Sequence, residues 1–162
     1  MSTKLIKIGV FGAGHLGKIH LKLLNESKKF NLIGFYDVNV EHSIKIEKEF
    51  GYKYFSDSNL LIDSSDALAI IAPTQFHHEI AMKCIKKSKH IFIEKPIARN
   101  VEEAEEIVRL SKEKKVIGQV GHVERFNPAL NSIKKILGNP MFIESHRLSE
   151  FNPRGTDVSV VL

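Results

Sequence analysis

The sequence predicts an α/β fold built on a parallel, doubly wound sheet, followed by the start of a second domain. Three observations carry this reading. Short apolar runs alternate with segments of helical spacing from Leu5 to Val120. One run, Ala67-Leu68-Ala69-Ile70-Ile71, is apolar throughout, as a strand covered on both faces must be. A glycine-rich turn, Gly12-Ala13-Gly14-His15-Leu16-Gly17, joins the first apolar run to the first helical segment. Strand and helix in strict alternation favour parallel strands with helices on both faces.

The elements follow in order. Residues 5–11 read as the first strand, 16–24 as a helix and 32–36 as the second strand. Residues 41–50 have helical spacing, 52–55 read as a short strand, and 60–62 as a helical turn. The apolar strand 67–71 precedes a helix over 77–87 and a strand over 91–93. Asn100 can cap the next helix, with Glu103 at the capping-box position. That helix carries Val101, Ala104, Ile107 and Val108 inward, and Glu105 and Arg109 form an i,i+4 pair outward. Residues 116–120 are the sixth strand. The pattern changes after Gly121. Asn127-Pro128 starts a helix that runs to Leu137, Gly138-Asn139-Pro140 ends it, and 141–148 read as a strand. The division is therefore 1–121 for the first domain and 122–162 for the beginning of another. One helix and one strand cannot bury enough surface to fold alone.

Composition narrows the classes. Of 162 residues, 43% are apolar and 27% charged, which describes a globular chain. No apolar run approaches the ~20 residues of a membrane span, so no membrane partner is expected. Met1-Ser2-Thr3-Lys4 leads straight into the first strand, so no signal peptide is expected. Cys84 is the one cysteine, so no intrachain disulfide can form, and a cytoplasmic location is expected. The net charge of +5 comes from 24 basic and 19 acidic residues. The lysines gather at predicted helix ends, at Lys28-Lys29, Lys86-Lys87, Lys112 to Lys115 and Lys134-Lys135, where they complement helix dipoles. No basic run is interleaved with aromatics, so no nucleic-acid partner is expected. Adjacent histidines such as His77 and His78 point to different helix faces, and no cluster has metal-ligand spacing.

The glycine turn carries the chemistry. Gly12 permits the tight turn, Gly14 removes a side chain from the path of a pyrophosphate, and Gly17 lets helix and strand pack closely. His15 and Leu16 open a helix whose first N–H groups and dipole face an anion. Asp37 lies twenty positions after Gly17, at the end of the second strand. Its carboxylate can accept from ribose 2′- and 3′-hydroxyls and would repel a 2′-phosphate, so NAD is expected over NADP. A bare glycine turn could do no more than reverse the chain. The flanking strand and helix and the spaced carboxylate make it a dinucleotide fingerprint of the Rossmann type.

Four features together resemble a family. His20 extends the glycine motif to GxGxxGxxH. Residues 73–77 form a Pro-to-His loop after the apolar strand. Glu94-Lys95-Pro96 follows the next strand, and Gly121-His122-Val123-Glu124-Arg125-Phe126-Asn127-Pro128 follows the last. On these motifs the chain resembles the glucose–fructose oxidoreductase, inositol dehydrogenase and rhizopine-catabolism (Gfo/Idh/MocA) family of NAD(P)-dependent oxidoreductases, along essentially its whole length. The stretch 122–128 is most similar to a branch acting on UDP-N-acetylglucosamine at the sugar 3-hydroxyl. The resemblance implies hydride transfer between a sugar or sugar-nucleotide hydroxyl carbon and NAD, with no metal. It implies that Ala72, Pro73, Thr74 and His77 lie along the cofactor with Glu94. It implies that Lys95 is catalytic, delivered by a cis Lys95–Pro96 bond, and that His122 and Arg125 meet substrate. It also implies a homo-oligomer and an α+β substrate domain of which this chain holds only the truncated start.

The departures matter. Ala72 stands where the family commonly has threonine, and Ser88 where it often has a helix-ending glycine. Family members are about twice as long, and their substrate domain carries an Asp-x-x-x-His motif. Asp157 is followed four residues on by Val161, so it does not match, and the chain resembles an N-terminal piece without competent catalysis of its own. Other readings stay open for single residues. Lys95 could be a solvated loop lysine, and its expected tuning rests on partial desolvation. Glu94 could bond ribose, hold Lys95 or be a surface acid. His20 reads as a packed histidine and His78 as a surface one. Arg125 could hold a substrate phosphate or carboxylate, or an interdomain carboxylate. From the glycine turn alone, a non-catalytic nucleotide-sensing module and a methyltransferase are alternatives, but neither has a use for Glu94-Lys95-Pro96.

Overall fold

Five parallel strands realise the alternation in the sequence: β1 (Ile6–Phe11), β2 (Phe30–Tyr36), β3 (Ala67–Ile70), β4 (His90–Ile93) and β5 (Gly118–Val120). The computed structural model describes residues 5–139, 141–144 and 146. The strand order is β2-β1-β3-β4-β5. The chain leaves β1 outward to β2, then crosses back to the other side of β1 at β3. That reversal opens a crevice between the carboxyl ends of β1 and β3, where ligands of such sheets bind.

Among the described residues, six α-helices connect and flank the strands: α1 (His15–Glu26), α2 (Val40–Phe50), α3 (Ser58–Ser64), α4 (His77–Lys86), α5 (Val101–Glu113) and α6 (Pro128–Leu137). Strand side chains alternate between two cores. Ile8, Val10, Phe35 and Ala69 meet Leu21 of α1 and Ile46 of α2 on one face. Phe11, Leu68, Ile70, Ile91 and Ile93 meet Leu61 of α3, Ala81 and Ile85 of α4, and Ile107 of α5 on the other. Leu68 and Ile70 of β3 are fully buried, as its unbroken apolar run requires. Each such side chain contributes about 1.5–3 kcal/mol relative to exposure.

The sequence expectations and the structure differ at five places. On α5, Ile107 is buried and Ala104 half-buried, but Val101 and Val108, expected inward, are exposed because the first turn and that flank of the helix overhang the sheet edge without a covering element among the described residues. The strand expected over 52–55 is a single bridge, Phe35 to Tyr54. Its approach is fixed by Gly34, at φ +145°, where a Cβ would lie 2.2 Å from the Lys53 carbonyl oxygen. Phe35 N–H donates to Lys53 O, and Phe55 N–H to Phe35 O, both at 2.9 Å, so pairing starts but does not propagate. The capping box is shifted. Asn100 Oδ1 accepts from Glu103 N–H at 2.9 Å, but the Glu103 carboxylate reaches back to Arg99 N–H at 3.1 Å and to the Arg99 guanidinium. That guanidinium holds the Glu103 carboxyl below the usual carboxylate range. Arg109 pairs with Glu113, at 3.7 Å, rather than with Glu105. On an exposed surface, acids one turn either way compete for one guanidinium, and neither pairing adds much. Finally, residues 141–144 form no strand, and their apolar side chains are exposed. No partner strand is available to them among the described residues. Residues 145 and 147–148 of that expected strand lie outside the described set, as does Asp157.

Of residues 122–162, expected to begin a second domain, the described ones form α6, capped by Asn127 Oδ1 accepting from Ala129 N–H at 2.9 Å. It packs against the short 3₁₀ turn Val123–Phe126. No helix among the described residues is long and apolar enough to cross a membrane.

Cys84 of α4 is wholly buried, and burial pushes its thiol from 9.0 up to about 12, against a smaller opposing pull from Lys83, Lys87 and Lys89. The folded chain therefore favours the neutral thiol. Its contribution is intact below the unfolded-state value and is lost progressively as pH rises through about 9 toward about 12. A thiol-specific colorimetric reagent should label Cys84 only at the rate of global opening. Labelling at the rate of a free thiol in native buffer would contradict this burial.

Candidate functional site

The expected site residues converge on one edge of the sheet. Each of the five strands ends there, and each is followed by a residue singled out in the sequence: Gly12, Asp37, Ala72, Glu94 and His122.

The glycine turn is packed to its limit. Gly12 takes φ +92°, and a Cβ there would lie 2.8 Å from Ile71 O and 2.9 Å from Ala72 N. At Gly17 a Cβ would meet the Gly12 carbonyl oxygen at 2.1 Å, so helix and strand touch through this residue. Gly14 differs: a Cβ there would meet nothing within 4 Å. Gly14 is also the N-cap of α1, with no side chain closing the first turn and no acidic residue within it. The helix therefore presents its N–H end, at exposed His15 and Leu16, to open space. This is a cradle for an anion, and it fits a pyrophosphate.

Asp37 is locked beside that cradle. Its Oδ2 accepts from Ala13 N–H at 2.7 Å and its Oδ1 from Asn39 N–H at 2.9 Å. Gly12 N–H donates to Tyr36 O at 2.9 Å, which ties the turn to the end of β2. Two bonds leave the half-buried carboxylate further lone pairs for hydroxyl donors. His42 of α2 sits close by, with Nε2 at 3.3 Å from Ala13 O. The sequence reading did not single it out, since nothing in its helical spacing marks that contact.

Across the crevice, Pro73 is exposed and Thr74 buried, in the 3₁₀ turn Thr74–Phe76 that leads into α4. Glu94 is buried at the end of β4. Its Oε1 accepts from His20 Nε2 at 3.0 Å, and its Oε2 from Lys95 N–H at 3.2 Å. His20 also lies against the Phe92 ring, with centroids 5.6 Å apart. Of the alternatives, His20 is thus the packed and bonded one, and Glu94 holds the Lys95 backbone. Gly121 closes this corner: a Cβ there would meet Phe92 Cζ at 2.9 Å and Glu94 Cδ at 3.1 Å. Nothing in the sequence marks this packing role of Gly121, which is known there only as the first residue of the 121–128 motif.

Lys95 is exposed, so the residues described here do not supply the desolvation expected for it. The Lys95–Pro96 bond is cis, as expected. His77, expected along the cofactor, instead has both ring nitrogens turned to carbonyl oxygens and is buried. It has no ring atom left to offer a ligand. His78 bonds Glu106 at 2.8 Å. His122 and Arg125 are exposed beyond β5, and the Arg125 guanidinium meets no carboxylate among the described residues.

This geometry can be set beside known proteins. Residues 6–122 match the Gfo/Idh/MocA oxidoreductase family with its NAD-binding Rossmann fold. The chain belongs to that family. It is 30% identical over 158 residues to UDP-N-acetylglucosamine 3-dehydrogenase of Acidithiobacillus ferrooxidans, covering 97% of this chain and 50% of that protein. It is 33% identical over 145 residues to glucose-6-phosphate 3-dehydrogenase of Bacillus subtilis, covering 86% and 41%. A solved structure of the Acidithiobacillus enzyme superposes with a TM-score of 0.85 at 30% identity, covering 96% of this chain and 52% of that one. The chain thus spans about half the length of the relatives it matches. The family shares a nicotinamide-binding Rossmann domain, and this chain supplies that domain together with α6.

Two glycine substitutions separate packing from ligand access. Gly17→Ala forces a Cβ onto the Gly12 carbonyl and should lower stability by about 1–3 kcal/mol. Gly14→Ala meets no protein atom and should leave the thermal midpoint nearly unchanged, within about 0.5 kcal/mol, yet abolish dinucleotide binding. Thermal melts paired with calorimetry would check both, and loss of stability in Gly14→Ala would contradict the open cradle.

Proposed function

We propose that the whole protein oxidises a CH–OH carbon of a sugar or sugar nucleotide, with NAD as hydride acceptor, and that this chain supplies the cofactor half of the site. The observation that carries the reading is the open cradle at Gly14 beside the doubly bonded Asp37 carboxylate. When bound, the dinucleotide accepts hydride from the substrate carbon. The chain's own residues do the rest. The N–H end of α1, at Gly14, His15, Leu16 and Gly17, holds the pyrophosphate. Asp37 takes the ribose hydroxyls and disfavours a 2′-phosphate, which sets NAD above NADP. Ala72, Pro73 and Thr74 lie along the cofactor. Lys95 positions the reacting hydroxyl or takes its proton, its backbone fixed by Glu94. His122 and Arg125, exposed on the same edge, meet substrate; for a sugar nucleotide, Arg125 holds phosphate. The similarity to a UDP-N-acetylglucosamine 3-dehydrogenase supports a sugar-nucleotide substrate, with sugars and inositols as the wider class.

Residues 1–162 alone bind NAD without turning over substrate, in this reading, because the relatives' remaining half has no counterpart here. Missing acid–base help alone would lower the rate by about 10²–10⁴. Calorimetry should show NAD binding more tightly than NADP, and Asp37→Ala should weaken NAD by about 1.5–3 kcal/mol per lost charge-assisted bond. Tighter binding of NADP would overturn the role of Asp37. NADH formation from UDP-N-acetylglucosamine and from inositol should be absent with this chain and present with a full-length counterpart. Equal turnover by the two would overturn a catalytic centre shared between domains.

A further inference from the structure

His77 presents a hydrogen-bonding problem that the reaction chemistry does not address. Its Nδ1 lies 2.9 Å from Pro96 O and its Nε2 lies 2.8 Å from Ala72 O. A carbonyl oxygen only accepts, so each contact is a hydrogen bond only where that ring nitrogen carries hydrogen. The side chain is 1% exposed, so the ring is closed off from solvent between these two carbonyl groups.

The two carbonyls belong to different loops. Ala72 follows β3, in the segment leading to Thr74, and Pro96 follows Lys95 beyond β4. His77 itself is the first residue of α4. One rigid ring therefore spans the two loops from a helix that packs on both strands. The neighbouring charges are already engaged. His78, next on α4, turns to Glu106 of α5; Glu103 of α5 is held by Arg99; and Glu94 at the end of β4 is held by His20 and Lys95 N–H. None of these carboxylates bonds the His77 ring, so carbonyl oxygens alone receive its hydrogens.

We propose that His77 is a positioning residue whose buried ring, held between the Pro96 and Ala72 carbonyl oxygens, fixes the Lys95–Pro96 loop against the Ala72–Thr74 loop. The inference rests on the reading of these loops as the proton-handling and cofactor sides of one site. It makes the spacing between Lys95 and the cofactor a property of one buried side chain.

The test uses His77→Phe, which keeps ring volume without donors, and His77→Gln, which keeps one donating amide. In His77→Phe, amide exchange should rise in residues 72–74 and 95–98 while β1 and α1 stay protected, and NAD affinity should fall by about tenfold. His77→Gln should recover part of both effects. Faster exchange spread evenly over the sheet, or equal losses in the two variants, would make His77 a packing residue and overturn the proposal. If the wild-type chain fails to bind NAD, the cofactor reading falls, while the exchange pattern, which needs no cofactor, still decides the clamp.

Discussion

The contact between the Gly12 carbonyl and the α-carbon of Gly17 sets the geometry of this protein. Strand β1 and helix α1 approach until no atom fits between them. That approach fixes the angle at which α1 leaves the sheet, and so where its N–H end points. The same turn is pinned from both sides. Tyr36 and Asp37 of the β2 end receive the Gly12 and Ala13 N–H groups, and the backbone of Ile71 and Ala72 beyond β3 lies against Gly12. The crevice between β1 and β3 is thus not a gap left by topology. It is held at a set width by backbone packed to contact.

A second cluster repeats this economy at the ends of β4 and β5. Gly121 has no side chain because Phe92 and the Glu94 carboxylate occupy its space. Glu94 in turn joins α1, through His20, to the loop that carries Lys95. Helix α1 therefore contributes to the site twice. Its first turn opens onto the space at Gly14, and its sixth residue, His20, secures the carboxylate that holds the Lys95 backbone. Buried polar groups of this kind are costly unless bonded. Here Glu94 has a partner on each oxygen, which is what lets an acid sit inside a sheet end.

Most of the fold was legible because hydrophobic period and glycine spacing are local signals. Ala67 to Ile71 announced a central strand by composition alone, and Gly12, Gly14 and Gly17 announced the turn by spacing. The three glycines turned out to have different reasons: two are closed off by backbone and one faces open space. What was not legible depends on contacts between distant residues. Tyr54 makes one bridge rather than a strand because Gly34 admits the neighbouring chain at a single point. Arg109 chooses Glu113 over Glu105, a choice that helical spacing leaves symmetric. His77 was expected to face the cofactor from its place in a motif. Its burial and its two carbonyl neighbours, at 72 and 96, are set by where two loops come together, and no single stretch of sequence contains that.

The double anchoring of Asp37 has a consequence for anyone wishing to redesign cofactor choice. An aspartate at a strand end is usually treated as an independent selector, to be exchanged for a neutral or basic residue when a phosphorylated cofactor is wanted. Here one of its oxygens is also the acceptor for Ala13, inside the glycine turn. Exchanging it for arginine would strip that amide of its acceptor and loosen the phosphate cradle in the same stroke. In the role proposed for Asp37, selectivity and affinity are coupled through one carboxylate, so a successful redesign would have to supply a substitute acceptor, such as a short polar side chain, before adding positive charge further out.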